Sequence, residues 1–263
     1  MKRILILGHK GMLGNVVHKY LGSKIDKYTI HTTTERFDND SFRKTINESG
    51  ADIIINCIGA IPQKKPSLED YKKLNIDLPA YLETLGIKVI HPSTDCEFSG
   101  KISADKKYKK TDEKDAEDEY SKSKATIANL IEKSFKNTKI IRTSIIGHEE
   151  NTNVALLDWF LNSSGEVKGF TNHYWNGITT LQWAKLCEEL IDNWDNHPTT
   201  NQFGTKDIRS KFDLLNDIKN VYGKDINIIP FDAEKAVNKC LESDKEIPSI
   251  LEQLKELKEY YNK

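Results

Sequence analysis

The sequence predicts an α/β chain built on a doubly wound parallel sheet, with a smaller C-terminal α/β part. Three observations carry this prediction. An apolar run opens the chain and passes through a glycine-rich turn into an amphipathic segment. Four further short apolar runs follow, alternating with helix-like patterns, as parallel α/β units require. Beyond Gly147 the alternation loses its regularity.

Taken in order, Lys2 to Leu7 has charged residues and then four apolar ones, the pattern of a buried parallel strand. Gly8-His9-Lys10-Gly11-Met12-Leu13-Gly14 follows at once. Asn15 to Leu21 reads as helix, with Val16, Val17, Tyr20 and Leu21 on its apolar side and Gly22 as its stop. Tyr28 to Thr33 is a second strand and Asp40 to Glu48 a helix. Asp52 to Cys57 is almost wholly apolar, which places it centrally in the sheet. Leu68 to Thr84 contains a helix interrupted or started near Pro79. Ile87 to His91 is the fourth strand, Tyr120 to Phe135 a helix, and Lys139 to Thr143 the fifth strand. Farther on, Val154 to Leu161, Thr180 to Trp194, Lys211 to Tyr222 and Ile250 to Tyr261 read as helices, and Ile226 to Pro230 as a short strand. Trp159 reads as core or interface.

Composition narrows the function. The 263 residues hold 39 Lys+Arg against 40 Asp+Glu, so no global positive field awaits nucleic acid. Apolar runs such as Ile53 to Ile61 fall far short of the roughly 20 residues a membrane span needs. The apolar segment after Lys2-Arg3 is too short for a secretory leader. Cys57, Cys96, Cys187 and Cys240 lack metal-like spacing, so no metal site is expected, and a reducing cytoplasm is the natural compartment. The stretch between Lys101 and Glu119 carries Lys106, Lys107, Lys109 and Lys110, then an acid-rich run from Asp112; it reads as a solvated loop.

Three local patterns carry chemistry. Strand, glycine loop and helix can seat a pyrophosphate on backbone N–H groups at a helix N-terminus. This makes Gly8, Lys10, Gly11, Met12, Leu13 and Gly14 candidate cofactor-binding residues. The spacing is G-x-x-G-x-x-G rather than G-x-G-x-x-G, and a tight turn without a ligand is the plainer alternative. Ser93-Thr94-Asp95 follows the fourth strand, where ligands meet the carboxyl ends of parallel strands. The Thr94 hydroxyl can there hydrogen-bond a carbonyl; a simple polar turn is the alternative. Tyr120 and Lys124 stand four apart and share a helix face. An ammonium beside a phenol lowers the phenol's pKa and makes it a usable acid near neutrality. An isolated Tyr-x-x-x-Lys is otherwise a solvated helix face.

Cofactor choice follows from charge. An acidic residue at the end of the second strand selects the ribose 2′-hydroxyl of NAD. Here that place reads His31-Thr32-Thr33-Thr34-Glu35-Arg36. The hydroxyl of Thr33, the planar clamp of Arg36 and the nearby Lys10 suit a 2′-phosphate, which favours NADP(H), with NAD(H) as the alternative because of Glu35.

These segments together resemble the extended short-chain dehydrogenase/reductase superfamily, and within it the dTDP-4-dehydrorhamnose reductase family. The matching motifs are Gly8-x-x-Gly11-x-x-Gly14, Asp52 to Gly59, Asn75, Ser93-Thr94-Asp95-x-x-Phe98-x-Gly100, Tyr120-x-x-Ser123-Lys124 and Ile141-Arg142-Thr143-Ser144, in family order over about the first 150 residues. The resemblance implies a Rossmann-type dinucleotide-binding domain over 1–150. It implies a mainly substrate-binding domain over 151–263, with some segments returning to the first. It implies NADPH-dependent reduction of the C4 ketone of a nucleotide-linked 4-keto-6-deoxy sugar, a 2-acetamido sugar included, in the making of surface polysaccharide precursors. In that scheme Lys124 holds the cofactor ribose and acidifies Tyr120, Thr94 bonds the C4 oxygen, and Tyr120 protonates it. Asp38 would reach the adenine, and Asn56, Cys57, Gly59, Asn75, Arg142 and Thr143 would shape the cofactor pocket. A homodimer is also implied.

The family more often has Tyr where this chain has Cys96. In related sugar-nucleotide epimerase/reductases a Cys near this position exchanges protons at the sugar. A bifunctional epimerase/reductase is therefore an alternative, with His148, Lys168 or His173 as the partner acid. A small apolar cysteine under the site is the plainer reading. A non-catalytic nucleotide-binding regulatory subunit is the other alternative. The segment Gly169 to Thr179, rich in aromatics and amides, makes Asn172, Trp175 and Asn176 substrate candidates beside Thr94, Asp95 and Cys96. Equally, Phe170 and Trp175 can anchor a loop in the core. Asn238-Lys239 can meet a diphosphate, although Lys239 reads more simply as a surface lysine.

Overall fold

The computed structural model describes residues 1–262. Its centre is a six-stranded, wholly parallel sheet in the order β10-β5-β4-β3-β1-β2. The strands are β1 (Lys2–Leu7), β2 (Tyr28–Thr33), β3 (Ile53–Asn56), β4 (Lys88–Ser93), β5 (Thr138–Arg142) and, later in the chain, β10 (Thr200–Gln202). The doubly wound parallel sheet expected from the alternation is the one observed.

Both faces of this sheet are covered, and the alternation along β1 shows how. Ile4 and Ile6 join Ile53, Ile55, Ile90 and Ile141 on one face. There they meet Val16 and Val17 of α1 (Met12–Gly22) and Trp183, Cys187 and Leu190 of α7 (Thr180–Asp192). Leu5 and Leu7 turn to the other face with Ile54 and Val89, against Phe42 and Ile46 of α2 (Asp40–Ser49) and Leu78 and Leu82 of α4 (Leu78–Thr84). Burial on both sides explains why these strands read as continuous apolar runs. Helix α5 (Glu119–Ser134) packs Ile127, Ala128 and Ile131 on Ile140 of β5.

The helix before β4 is interrupted near Pro79, as expected, but by a wider turn rather than a gap: α3 (Leu68–Lys72) runs through a π-helical turn (Lys73–Asp77) directly into α4. Proline has no N–H and crowds the carbonyl four residues back. Here that carbonyl belongs to Asn75, inside the wide turn, so the irregularity lies just upstream of the proline. Helix α1 also starts three residues earlier than expected, inside the glycine loop.

The C-terminal part has its own core. Leu157 and Phe160 of α6 (Leu156–Asn162), Leu214, Leu215 and Ile218 of α8 (Lys211–Tyr222), and Ile250, Leu254 and Leu257 of α9 (Ile250–Tyr261) meet there. Trp159 is 41% exposed, so it lies outside that core. Short strands surround these helices: β6 (Ile145–Ile146) beside β9 (Ile178–Thr179), β7 (Glu166–Phe170) beside β12 (Asn227–Phe231), and β8 (His173–Trp175) between β11 (Arg209–Ser210) and β13 (Val237–Asn238). Residues 169–179 are thus mostly strand rather than loop. The charged stretch before α5 is not wholly solvated either. Tyr108 is buried, stacked on Phe98 at 4.3 Å.

A buried ion pair fixes the turn after β4. Arg142 Nη2 lies 2.8 Å from Glu97 and 2.7 Å from Glu132, and both Arg142 and Glu97 are fully buried. Ser93 donates a hydrogen bond to the same Glu97. Arg142, expected at the cofactor pocket, has its guanidinium taken up by Glu97, Glu132 and Gln202. Replacing Arg142 by Leu strands a buried carboxylate and should cost roughly 3–5 kcal/mol of stability. Thermal denaturation checks this; an unchanged melting temperature would show that the pair holds nothing in place.

Candidate functional site

Strand order reverses between β1 and β3, so the crevice opens beyond Leu7 and Asn56. The glycine loop lines it. Gly8 has φ +76°, a conformation that favours glycine. Gly11 N donates to Gly8 O at 3.0 Å, and a Cβ on Gly14 would stand 2.2 Å from Gly8 O. The loop therefore has no room for side chains at Gly14. Gly11 is the N-cap of α1, no side chain caps it, and the first turn holds no acid. The first N–H groups of α1, those of Met12 and Leu13 among them, are left for a ligand. A backbone cradle with uncapped donors and no competing carboxylate fits a pyrophosphate.

At the end of β2, Glu35 is engaged by the Ser41 hydroxyl, while Arg36 is exposed. Asp38 pairs with Lys73 at 2.7 Å, which holds its carboxyl below the usual range. Thr33 accepts from Glu35 N at 3.1 Å.

On the other side of the crevice, Thr94 follows β4 and begins a 3-10 turn (Asp95–Glu97) by accepting from Cys96 N at 3.1 Å. Its hydroxyl donates to Asp95 at 3.0 Å and lies close enough to the Tyr120 phenol to act on its pKa. Asp118 caps α5 by accepting from Ser121 N at 2.9 Å, which starts the helix just before Tyr120. Asn75, 1% exposed, ties the parts together: it accepts from Ala60 N at 2.8 Å and donates to Ser123 Oγ at 2.9 Å. Ser123 in turn donates to Tyr120 O at 2.6 Å. A Cβ on Gly59 would stand 3.3 Å from Asn75 Oδ1. Asn75 thus joins the loop after β3 to the helix of Tyr120, and its amide is taken up in doing so. Thr143 is buried, donating to Ser144 O at 3.2 Å, and Cys57 is half-buried beside Gly8.

One electrostatic expectation is overturned. The Tyr120 phenol is not acidified. Burial pushes its pKa above the ordinary value, Cys96 and Asp95 add to the rise, and the Thr94 hydroxyl opposes it. Lys124 Nζ turns instead to Pro92 O at 2.7 Å and His91 Nε2 at 3.2 Å. The i, i+4 spacing sets the two residues on one face, but the lysine side chain reaches into the sheet. Burial brings its pKa down to about 8, against the pull of Glu97.

The Cys96 surroundings also differ. His148 is bonded to Asp158 at 2.7 Å and Tyr222 at 2.9 Å, Lys168 sits over Phe231, and His173 stacks on Phe170. The cations that act on Cys96 are Lys239 and Lys211. Lys239 is half-buried in the site rather than a surface lysine. Burial still pushes the Cys96 thiol up to about 12. Lys211 lies over the Trp175 ring at 5.5 Å, and Trp175 itself is buried, donating to Ser144 Oγ at 2.8 Å. Sequence reasoning missed Lys211 because it sits more than a hundred residues from the Thr94 turn. Asn172 and Asn176, expected to meet a substrate, have their amides taken up by backbone partners: Asn172 by Ala233, Asn176 by Thr205 and Leu241.

Residues 1–243 match the model of the RmlD substrate binding domain. The chain belongs to that family. A curated relative, the spore coat polysaccharide biosynthesis protein SpsK of Bacillus subtilis (strain 168), is 25% identical over 251 residues, covering 91% of this chain and 86% of the relative. The fold is that of a dTDP-4-dehydrorhamnose reductase, an RfbD ortholog from Clostridium acetobutylicum ATCC 824, at TM-score 0.83 and 22% identity over 99% of this chain and 100% of the other. The dTDP-4-dehydrorhamnose reductase of Bacillus anthracis str. Ames, solved with NADP, matches at TM-score 0.83 and 18% identity over 100% of both chains. Among the described residues no helix is long and apolar enough to cross a membrane.

The Gly14 geometry gives a direct check on the crevice. Gly14→Ala should weaken dinucleotide binding at least about tenfold, some 1.4 kcal/mol, in a fluorescence titration, with the circular dichroism spectrum unchanged. Wild-type affinity in that variant would remove the loop from the site.

Proposed function

We propose that the chain is an NADPH-dependent reductase of the C4 ketone of a nucleotide-linked 4-keto-6-deoxy sugar, 2-acetamido sugars included. Family membership supports an oxidoreductase that modifies nucleotide sugars. The polysaccharide role of SpsK supports a place in the synthesis of a surface polysaccharide precursor. The observation that carries the reading is the bonding of Asn75 to Ala60, after β3, and to Ser123, which donates to Tyr120 O, so that the helix of Tyr120 is tied to the crevice of the glycine loop with Thr94 acting on the phenol from the end of β4.

Each residue has a part in this scheme. The uncapped N–H groups of α1 hold the pyrophosphate. Lys10 and Arg36 hold a 2′-phosphate, with Glu35 drawn aside by Ser41. That favours NADP(H), with NAD(H) as the weaker cofactor. Bound NADPH supplies a hydride to the carbonyl carbon. Thr94 orients the sugar's C4 oxygen. Tyr120 donates its proton to that oxygen, and its raised pKa keeps the phenol protonated for this task. Residues 1–150 carry the cofactor and 151–263 mainly the sugar, with Lys211 and Lys239 at the site from the second part.

Proton exchange at a sugar carbon by Cys96 is a second reading, supported by the Lys239 charge that acts on the thiol. A thiol held at about 12 stays protonated at neutral pH, which ranks this reading below reduction. Incubation with the substrate in deuterated buffer separates them: uptake at C3 or C5 supports exchange, and none removes it.

Loss of NADPH absorbance on mixing with a panel of 4-keto-6-deoxy sugar nucleotides tests the main reading, and no turnover with any member contradicts it. Tyr120→Phe should lower kcat by about 10²–10⁴-fold with NADPH affinity unchanged. Lys124 carries its proton below its pKa and loses it above. The rate of reduction should therefore fall as pH rises through about 8, and a profile flat across that range would exclude Lys124 from the proton path.

A further inference from the structure

Three buried side chains form a line from β3 to α5. Asn56 ends β3, His91 lies within β4, and Lys124 lies in α5. Their exposures are 0%, 1% and 6%. Asn56 Nδ2 stands 3.2 Å from His91 Nδ1, and His91 Nε2 stands 3.2 Å from Lys124 Nζ. Groups this deeply buried keep their hydrogen bonds matched, so the protons along the line must be accounted for.

The Asn56 end fixes the pattern. Ile58 N–H donates to Asn56 Oδ1 at 3.1 Å, so the amide presents its Nδ2–H group to His91. Burial and the Lys124 charge hold His91 far below the ordinary histidine pKa, so its ring is neutral at pH 7. A neutral ring has one donor and one acceptor nitrogen. Nδ1 accepts from Asn56, and Nε2 therefore carries the hydrogen. That N–H is aimed at Lys124 Nζ. An ammonium there sets N–H against N–H, whereas a neutral amine offers its lone pair. The other partner of Nζ, the Pro92 carbonyl at 2.7 Å, accepts from either form.

The remaining groups that bear on Lys124 are few. Glu97, from the turn after β4, favours the ammonium. Tyr120, on the same helix, is uncharged at neutral pH. His91 is thus the nearest group that distinguishes the two forms by hydrogen bonding.

We propose that His91 is a positioning residue that makes Lys124 a ready proton source, because loss of one proton turns a mismatched N–H pair into a hydrogen bond. This rests on the reading of Tyr120 as the proton donor. After Tyr120 gives its proton to the sugar oxygen, one proton leaves Lys124 Nζ and one reaches Tyr120 Oη by way of an intervening hydroxyl or water, since Lys124 Nζ itself is bonded to Pro92 O and His91 Nε2. No electrons are transferred in that exchange, and solvent later restores the lysine proton. His91 contacts no reacting atom in this scheme; it acts through Lys124.

Two nuclear magnetic resonance readouts test this on the whole chain, with no substrate. With ¹⁵N-labelled histidine, His91 should show a protonated Nε2 and an unprotonated Nδ1 at pH 7. With lysine labelled with ¹³C at Cε, Lys124 (assigned by its loss in Lys124→Arg) should titrate near 8. In His91→Gln the amide oxygen accepts from the ammonium, so this midpoint should rise by about one unit, and the basic limb of the reduction profile should move with it. A protonated Nδ1, an imidazolium at pH 7, or the same midpoint in His91→Gln would overturn the proposal. The tautomer is read on the unaltered protein, so a poorly folding variant does not shelter the idea. A chain that shows this tautomer but reduces no 4-keto sugar contradicts the proposed function and leaves the His91 assignment standing.

Discussion

Parallel pairing in a fixed register is the constraint on which the site depends. Leu7 is matched with Asn56 across β1 and β3, Ile55 with Ile90 across β3 and β4, and Ser93 with Arg142 across β4 and β5. Because of that register, loops far apart in the chain leave the sheet at one edge. A slip of one residue would turn Ile4 and Ile6 toward the helices that now receive Leu5 and Leu7. The packing of α1 and α7 on one face, and of α2 and α4 on the other, holds the register against such a slip. The glycine loop, the Thr94 turn and the helix of Tyr120 come together as a consequence.

Burial at that edge then governs the chemistry. Tyr120, Cys96, Lys124 and His91 are all moved toward their uncharged forms, with burial the largest cause in each. Charges persist in the neighbourhood where they are matched, as in the Arg142 cluster with Glu97 and Glu132. The outcome is a crevice wall of neutral donors beside a backbone cradle. A protonated phenol is the form a reductase requires, so the raised pKa of Tyr120 agrees with reduction where an acidified phenol was first expected. The spacing of Tyr120 and Lys124 places both on α5, as expected, without the interaction expected between them.

What was legible in the sequence was local. The run Ile4 to Leu7, the glycine loop, Tyr28 to Thr33 and the apolar third strand each carry their pattern within a few neighbouring residues. The π-helical turn was hidden because Pro79 marks a break without saying on which side it falls. His91 was hidden inside an apolar run, where one polar residue reads as strand filler. Strands such as β11 and β13 are two residues long, too short for any periodicity, and pair through contacts set by the tertiary fold. Asn172 and Asn176 illustrate the same limit. Their composition pointed to a ligand, but their partners Ala233 and Leu241 lie some sixty residues away and claim both ends of each amide. Lys211 and Lys239 reach the Thr94 turn only through that second part of the chain.

The central claim is that a nicotinamide cofactor seated in the glycine-loop crevice reacts beside the Tyr120 hydroxyl. Transfer of label tests it most directly. With NADPH carrying deuterium at the reactive position of its ring and a 4-keto sugar nucleotide that the protein consumes, one deuterium should appear at C4 of the product. Product without deuterium at that carbon would contradict the account.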